Sequence, residues 1–225
     1  MVYDWIIANK ELIKIFYGLI ITLICLTIVL KSDRLFRLSF HNGIRFFRNA
    51  FFFYGIAFII RYLVGGSSIF HILDLEFNII KFFFEYFLIM AGFFLLYSLI
   101  WKKVESSKDV SNSSLFNVKI AVFHLMALIL ASLDFIWKIY YFLFLSQVIL
   151  FACISVLSYL NYQKNKKHKF PRFYFIAMLL SFLAWTLNGV APILLNWNQG
   201  VIVSLYLVNI IVFIVFLYGV IKVTK

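Results

Sequence analysis

Seven apolar stretches, each long enough to cross a bilayer, are joined by loops whose basic residues crowd onto every second connection. A helical span needs roughly 20 apolar residues at a rise of about 1.5 Å each. The windows 6–30, 44–64, 78–101, 116–135, 139–160, 173–195 and 201–221 supply them. The tightest connection is Ile136-Trp137-Lys138, between the fourth and fifth windows. With 64% hydrophobic residues, the 225-residue chain carries more apolar surface than one soluble core can hide, since an average globular domain is about half apolar. Lipid is the remaining solvent. The fold class read from this pattern is an all-α integral membrane protein, a bundle of seven transmembrane helices in a single domain over 1–225.

Charge sets the expected threading. With the N-terminus outside and the C-terminus inside, only Lys10, Lys14, Arg61, Lys81 and Lys138 fall in the outer half. The other sixteen of the 21 lysines and arginines lie on the inner side, as the positive-inside rule requires. The net charge of +12 is thereby explained by threading, and no nucleic-acid partner is expected. The inner basic loops lie near anionic lipid headgroups and offer a surface to a cytoplasmic or membrane partner protein, and the run 164–169 is read first as a solvated cytoplasmic loop, with headgroup contact as the alternative. Arg45 and Arg48 are expected to snorkel to phosphates. The localisation read from these features is a cell membrane, multi-pass. The first window is not expected to be a cleaved signal peptide, because no small-residue cleavage site follows it. Cys25 and Cys153 lie inside spans and read as small packing residues, and Asn112-Ser113-Ser114 reads as a chance glycosylation match on the inner side.

Ionisable and amide side chains inside the spans carry the functional signal, because burying a charge there costs several kcal/mol unless it is paired or wet. Asn78, Lys81 and Glu85 share one face of the third span, and Lys81 and Glu85 stand four apart, where they can pair. Arg61 lies at a similar depth in the second span. Ser181, Trp185, Asn188 and Pro192 form a stripe along the sixth, Glu11, Lys14, Gly18, Thr22 and Cys25 one along the first, and Asn209 sits in the middle of the seventh. Turned inward, these faces enclose a polar pocket opening outward, with Arg61, Lys81, Glu85, Asn188 and Asn209 as its candidate ligand-binding residues. The competing reading makes them interhelical hydrogen-bond glue. Pro192, close to Gly189, predicts a kink in the sixth span at 188–192. Asp134 and Lys138 are read as a surface ion pair pinning the fourth hairpin turn.

Reaction chemistry leaves no signature. The four histidines include no pair four apart and no zinc spacing, and neither a nucleophile elbow nor a phosphate-binding glycine loop occurs. No catalytic residue, metal or cofactor is assigned. The threading is similar to that of sugar transporters built as three spans plus one plus three, but their Pro-Gln signature is missing. It is also similar to that of G-protein-coupled receptors, whose span motifs are absent. The last span has Lys222 at its end and Asn209 in its centre, where a retinal protein carries its Schiff-base lysine. Three functional readings stand: a non-enzymatic receptor or sensor for a small polar or charged ligand, a small-solute or ion transporter, and a structural or accessory subunit.

Overall fold

A computed structural model describes residues 9–65, 77–104, 118–137, 141–164, 169–195 and 199–224. They form seven helices: α1 (Lys10–Ser39), α2 (Asn42–Phe58), α3 (Phe77–Val104), α4 (Val118–Trp137), α5 (Tyr141–Lys164), α6 (Lys169–Leu195) and α7 (Gln199–Thr224). A π-helical segment, Ile59–Val64, prolongs α2. Each of the seven is long and apolar enough to cross a membrane. Each contains most of one apolar window, because a helix satisfies every mid-segment backbone group internally, which lipid demands, and α1 continues nine residues past its window to Ser39. His71, Asn112, Lys138, Lys166, Lys167 and His168 lie outside the described residues.

Six helices close a ring. α1 packs on α2, α2 on α3, α3 on α5, α5 on α6, α6 on α7, and α7 returns to α1. α4 stands outside it, its main contacts being with α3 and α5. Burial is concentrated in α2 and α3, whose apolar windows are 61% buried, against 17–39% for the other five. The outward face of α4 shows Val122, Leu125, Leu128 and Ile129, side chains suited to lipid.

Aromatic rings fill the joint between α2 and α3. Phe46 meets Tyr97 edge-on at 4.4 Å, and Phe53 stacks near Phe94 at 5.1 Å. Small residues set the approach distances. A β-carbon added at Gly92 on α3 would stand 3.1 Å from Gln147 Oε1 and 3.2 Å from Leu150 Cδ1 on α5. One added at Gly18 on α1 would overlap Tyr62 of the π segment. Such contacts let dispersion forces hold helices that gain nothing from hydrophobic sorting against lipid.

The connection between α1 and α2 is tight and fully hydrogen-bonded at its centre. Phe40 takes a left-handed conformation (φ 51°), and its N–H bonds Phe36 O at 2.7 Å, closing α1 before α2 begins at Asn42. Beside it, Arg48 turns inward. Its guanidinium pairs with Asp33, bonds Asn49 Oδ1 at 3.3 Å and lies 5.7 Å from the Phe36 ring centroid. Arg37 holds the other Asp33 oxygen at 2.9 Å. Arg48, expected to reach phosphates, thus has a carboxylate partner on the neighbouring helix.

α6 is helical throughout 188–192, and a π-helical departure from α-helical hydrogen bonding falls in the second span, where Gly65 N–H bonds Ile60 O at 3.1 Å. Two further expectations change. Cys25 is buried, but Cys153 faces outward from α5 and packs no interior. Asp134 is no surface residue. Its carboxylate is wholly buried and accepts the N–H of Phe142 at 3.1 Å and of Leu143 at 2.7 Å, so it caps the start of α5.

Candidate functional site

The ring encloses a cavity of about 410 Å³, within the usual span of small-molecule sites, roughly 300–1,000 Å³. Every ring helix lines it, and α4 does not. The lining comes from the early turns of α1, α3 and α5, from the far end of α2 and its π segment, and from the later turns of α6. Helices α1, α3 and α5 therefore run one way past the cavity, and α2 and α6 the other. On α7 the wall runs from Ile202 to Phe216, a length of roughly 20 Å at helical rise.

Three layers follow one another down that wall. At the mouth stand Lys14 and Arg61. The Arg61 guanidinium lies 5.4 Å from the Phe84 ring centroid, an aromatic seat for a cation. Below them the rings of Tyr17 and Tyr206 stack at 4.2 Å, and Tyr62 meets Tyr17 edge-on at 5.0 Å. The middle layer is a closed amide exchange. Asn188 Nδ2 donates to Asn209 Oδ1 at 3.0 Å, and Asn209 Nδ2 donates to Tyr17 Oη at 3.2 Å and to Asn188 Oδ1 at 3.5 Å. Helices α1, α6 and α7 are thus tied at one point. Nearby, the Ser181 hydroxyl donates to Ala177 O at 2.8 Å within its own helix, and Tyr54 and Trp185 also line the cavity.

The floor is aromatic. Phe213 and Phe216 of α7 meet Phe51 of α2 at 6.1 and 5.1 Å, and Phe47 approaches Phe216 at 6.4 Å. All four are buried, and with Tyr174 beside Phe47 at 5.9 Å they form a plug below the cavity.

Lys81 and Glu85 are elsewhere. They stand on α3 behind Phe84 and Leu88, which line the cavity while they do not. Glu85 is wholly buried. Its Oε1 lies 3.7 Å from Lys81 Nζ, an ion pair longer than a hydrogen bond, and neither of its oxygens is hydrogen-bonded among the described residues. Asp134 is close enough for its charge to act on both Glu85 and Lys81. Gln147, also wholly buried, continues this polar strip two turns along, against Gly92. The five residues predicted to share one pocket thus divide. Arg61, Asn188 and Asn209 line the cavity, Lys81 and Glu85 form a second polar cluster between α3, α4 and α5, and the Arg61 charge reaches both.

The tyrosines are what sequence reasoning passed over. Tyr17, Tyr54, Tyr62 and Tyr206 all line the cavity, and each is counted as an apolar residue by composition. Their signal was position: Tyr17 follows Lys14 by three, Tyr54 and Arg61 share a face, and Tyr206 precedes Asn209 by three. A tyrosine in step with a polar stripe presents a hydroxyl to the same side. No protein-family model, curated protein or solved structure matches this chain.

Proposed function

We propose that this chain is a non-enzymatic, receptor- or sensor-like protein of the cell membrane that binds a small ligand inside its helix ring. The observation carrying this reading is the cavity itself: six helices converge on a space with cations at its mouth, amides at mid-depth and an aromatic plug below. A pocket with a mouth and a plug holds a ligand rather than passing it. The early turns of α1, α3 and α5 and the far ends of α2 and α6 meet at the cavity, and together with the positive-inside bias this supports a mouth on the outer face. The basic inner loops then supply the contact with anionic headgroups or with the partner protein through which occupancy is transmitted.

Transport is the second reading. It is favoured by the grouping of the ring into α1–α3 and α5–α7 around a central cavity, with α4 left outside. Cysteine accessibility separates the two. Ser181→Cys, Asn188→Cys and Asn209→Cys would be made in a background lacking Cys25 and Cys153, then labelled with a membrane-impermeant thiol reagent from each side in turn. Labelling from the outer side only is the expected result. Labelling from both sides would overturn the closed pocket in favour of transport. Labelling from neither side would make the polar residues packing groups of an accessory subunit.

A further inference from the structure

The charged groups at the cavity mouth are already engaged. Lys14 Nζ lies 2.9 Å from Glu11 Oε1, one turn earlier on α1. The Arg61 guanidinium sits 5.4 Å from the Phe84 ring centroid and is not free. Both signs of charge thus stand close together among the described residues, and neither an anion nor a cation gains clearly there. A charged ligand would give up its hydration for groups that already have partners.

The polar groups at mid-depth serve one another. Asn209 Nδ2 spends its two hydrogens on Tyr17 Oη and Asn188 Oδ1, and Asn188 Nδ2 returns a bond to Asn209 Oδ1. The Ser181 hydroxyl is bonded within its own helix. A sugar or polyol would have to break this exchange, and its new bonds would only replace the old ones. The exchange has another effect. It braces the Tyr17 ring, which stacks on Tyr206 at 4.2 Å with 14° between the planes.

What the wall presents is ring surface, in two banks. One is Tyr17 of α1, met edge-on by Phe58 at 5.6 Å and by Tyr62 at 5.0 Å, both from the second span. The other is Trp185 of α6, with Phe144 and Phe151 of α5 at 6.1 and 6.5 Å. All six line the cavity. In the order of helix contacts, α1 stands opposite α5 and α2 opposite α6, so the banks face each other across the space. A slot walled by rings on two sides favours a flat body, which gains burial and ring contacts together.

We propose that the pocket takes an uncharged, flat aromatic compound with few polar groups, held between the Tyr17 and Trp185 banks. This rests on the binding reading above and names its class of ligand, which departs from the polar or charged one expected from the sequence.

The test uses three probes on one carbon skeleton: naphthalene-2-carboxamide, its saturated counterpart decahydronaphthalene-2-carboxamide, and the anion 2-naphthoate. Each would be titrated calorimetrically into the full chain in nanodiscs of zwitterionic lipid, with empty discs as the blank. The flat amide is expected to bind roughly tenfold more tightly than the saturated one, the scale of one or two ring pairs. It should also bind at least as tightly as the naphthoate. Tyr206→Leu and Trp185→Leu should each shrink the flat-to-saturated ratio toward one. Affinity for the saturated amide should stay within about threefold in both variants, which reports an intact pocket. Equal or tighter binding of the saturated amide by the parent chain overturns the flat-ring class, and tighter binding of the naphthoate overturns the uncharged class. Either result leaves the pocket reading standing. Binding that is indifferent to both substitutions places the probes outside the cavity and overturns the proposal. The proposal also falls if no probe binds. If Ser181→Cys is then closed to thiol reagent from both sides as well, the pocket reading falls with it.

Discussion

Two polar clusters lie a few side chains apart, and they solve the problem of polarity among apolar helices in opposite ways. In the cavity, Tyr17, Asn188 and Asn209 satisfy one another at 3.0–3.5 Å around an open space. Between α3, α4 and α5, Glu85 has a lysine 3.7 Å away, a second carboxylate within electrostatic range and no hydrogen bond among the described residues. Neutral amides tolerate a half-empty neighbourhood, because their demand is met by one or two partners. Charges do not, and buried ones hold their place only through opposite charge and tight surroundings. On the binding reading proposed above, the first cluster meets a ligand, while the second joins helices.

Substitutions should separate those roles, beginning with the largest effect. Glu85→Ala removes a buried counter-charge from beside Lys81 and is expected to cost about 3 kcal/mol, visible as loss of monodisperse protein. Pairing it with Lys81→Met should restore most of the yield. A Glu85→Ala chain as stable as the parent would show that the cluster carries no structural charge pair. Glu85→Gln is expected to leave labelling at Asn209→Cys unchanged, since Glu85 does not line the cavity.

Asp134→Ala removes two backbone hydrogen bonds at the start of α5 and should cost about 2 kcal/mol. Its thermal unfolding midpoint should fall while pocket labelling persists. A smaller loss, about 1.5 kcal/mol, is expected for Gly18→Ala, whose added methyl overlaps Tyr62 and pushes the π segment off α1. Unlike Asp134→Ala, it should also disturb ligand binding, because Tyr62 and Arg61 share that segment. Least destabilising is Asn209→Ala, at about 0.6–1 kcal/mol, the measured scale of interhelical hydrogen bonds in membranes. Ligand affinity should fall more than stability does. A result in which Asn209→Ala unfolds the chain and Glu85→Ala does not would reverse the assignment of the two clusters.

The helices were legible because the constraint that makes them is linear. Length and apolarity of a window decide whether it spans, and both are read along the chain. Pairing of Lys81 with Glu85 was legible for the same reason, since an i, i+4 relation lies within one helix. Which way a face points was not. Asn209 and Glu85 are alike as polar residues in apolar windows, yet one meets the cavity and the other the α3–α5 joint, a difference made by ring closure. Asp134 was misplaced because its partners, two backbone N–H groups, have no letter in a sequence. The π segment went unseen for a related reason: a proline marks itself, whereas a change from i−4 to i−5 hydrogen bonding at Gly65 has no residue signature.

Ring closure also has a meaning in time. The bond from Asn209 to Tyr17 joins residues 192 apart, the first helix to the last. A chain emerging from the ribosome makes α1 early and must hold it unpartnered on that side until α7 arrives. The cavity is then the final product of assembly, absent from every shorter nascent form. A compound that fits it recognises only completed molecules, so its presence during synthesis should raise the yield of finished protein by drawing the last helix home.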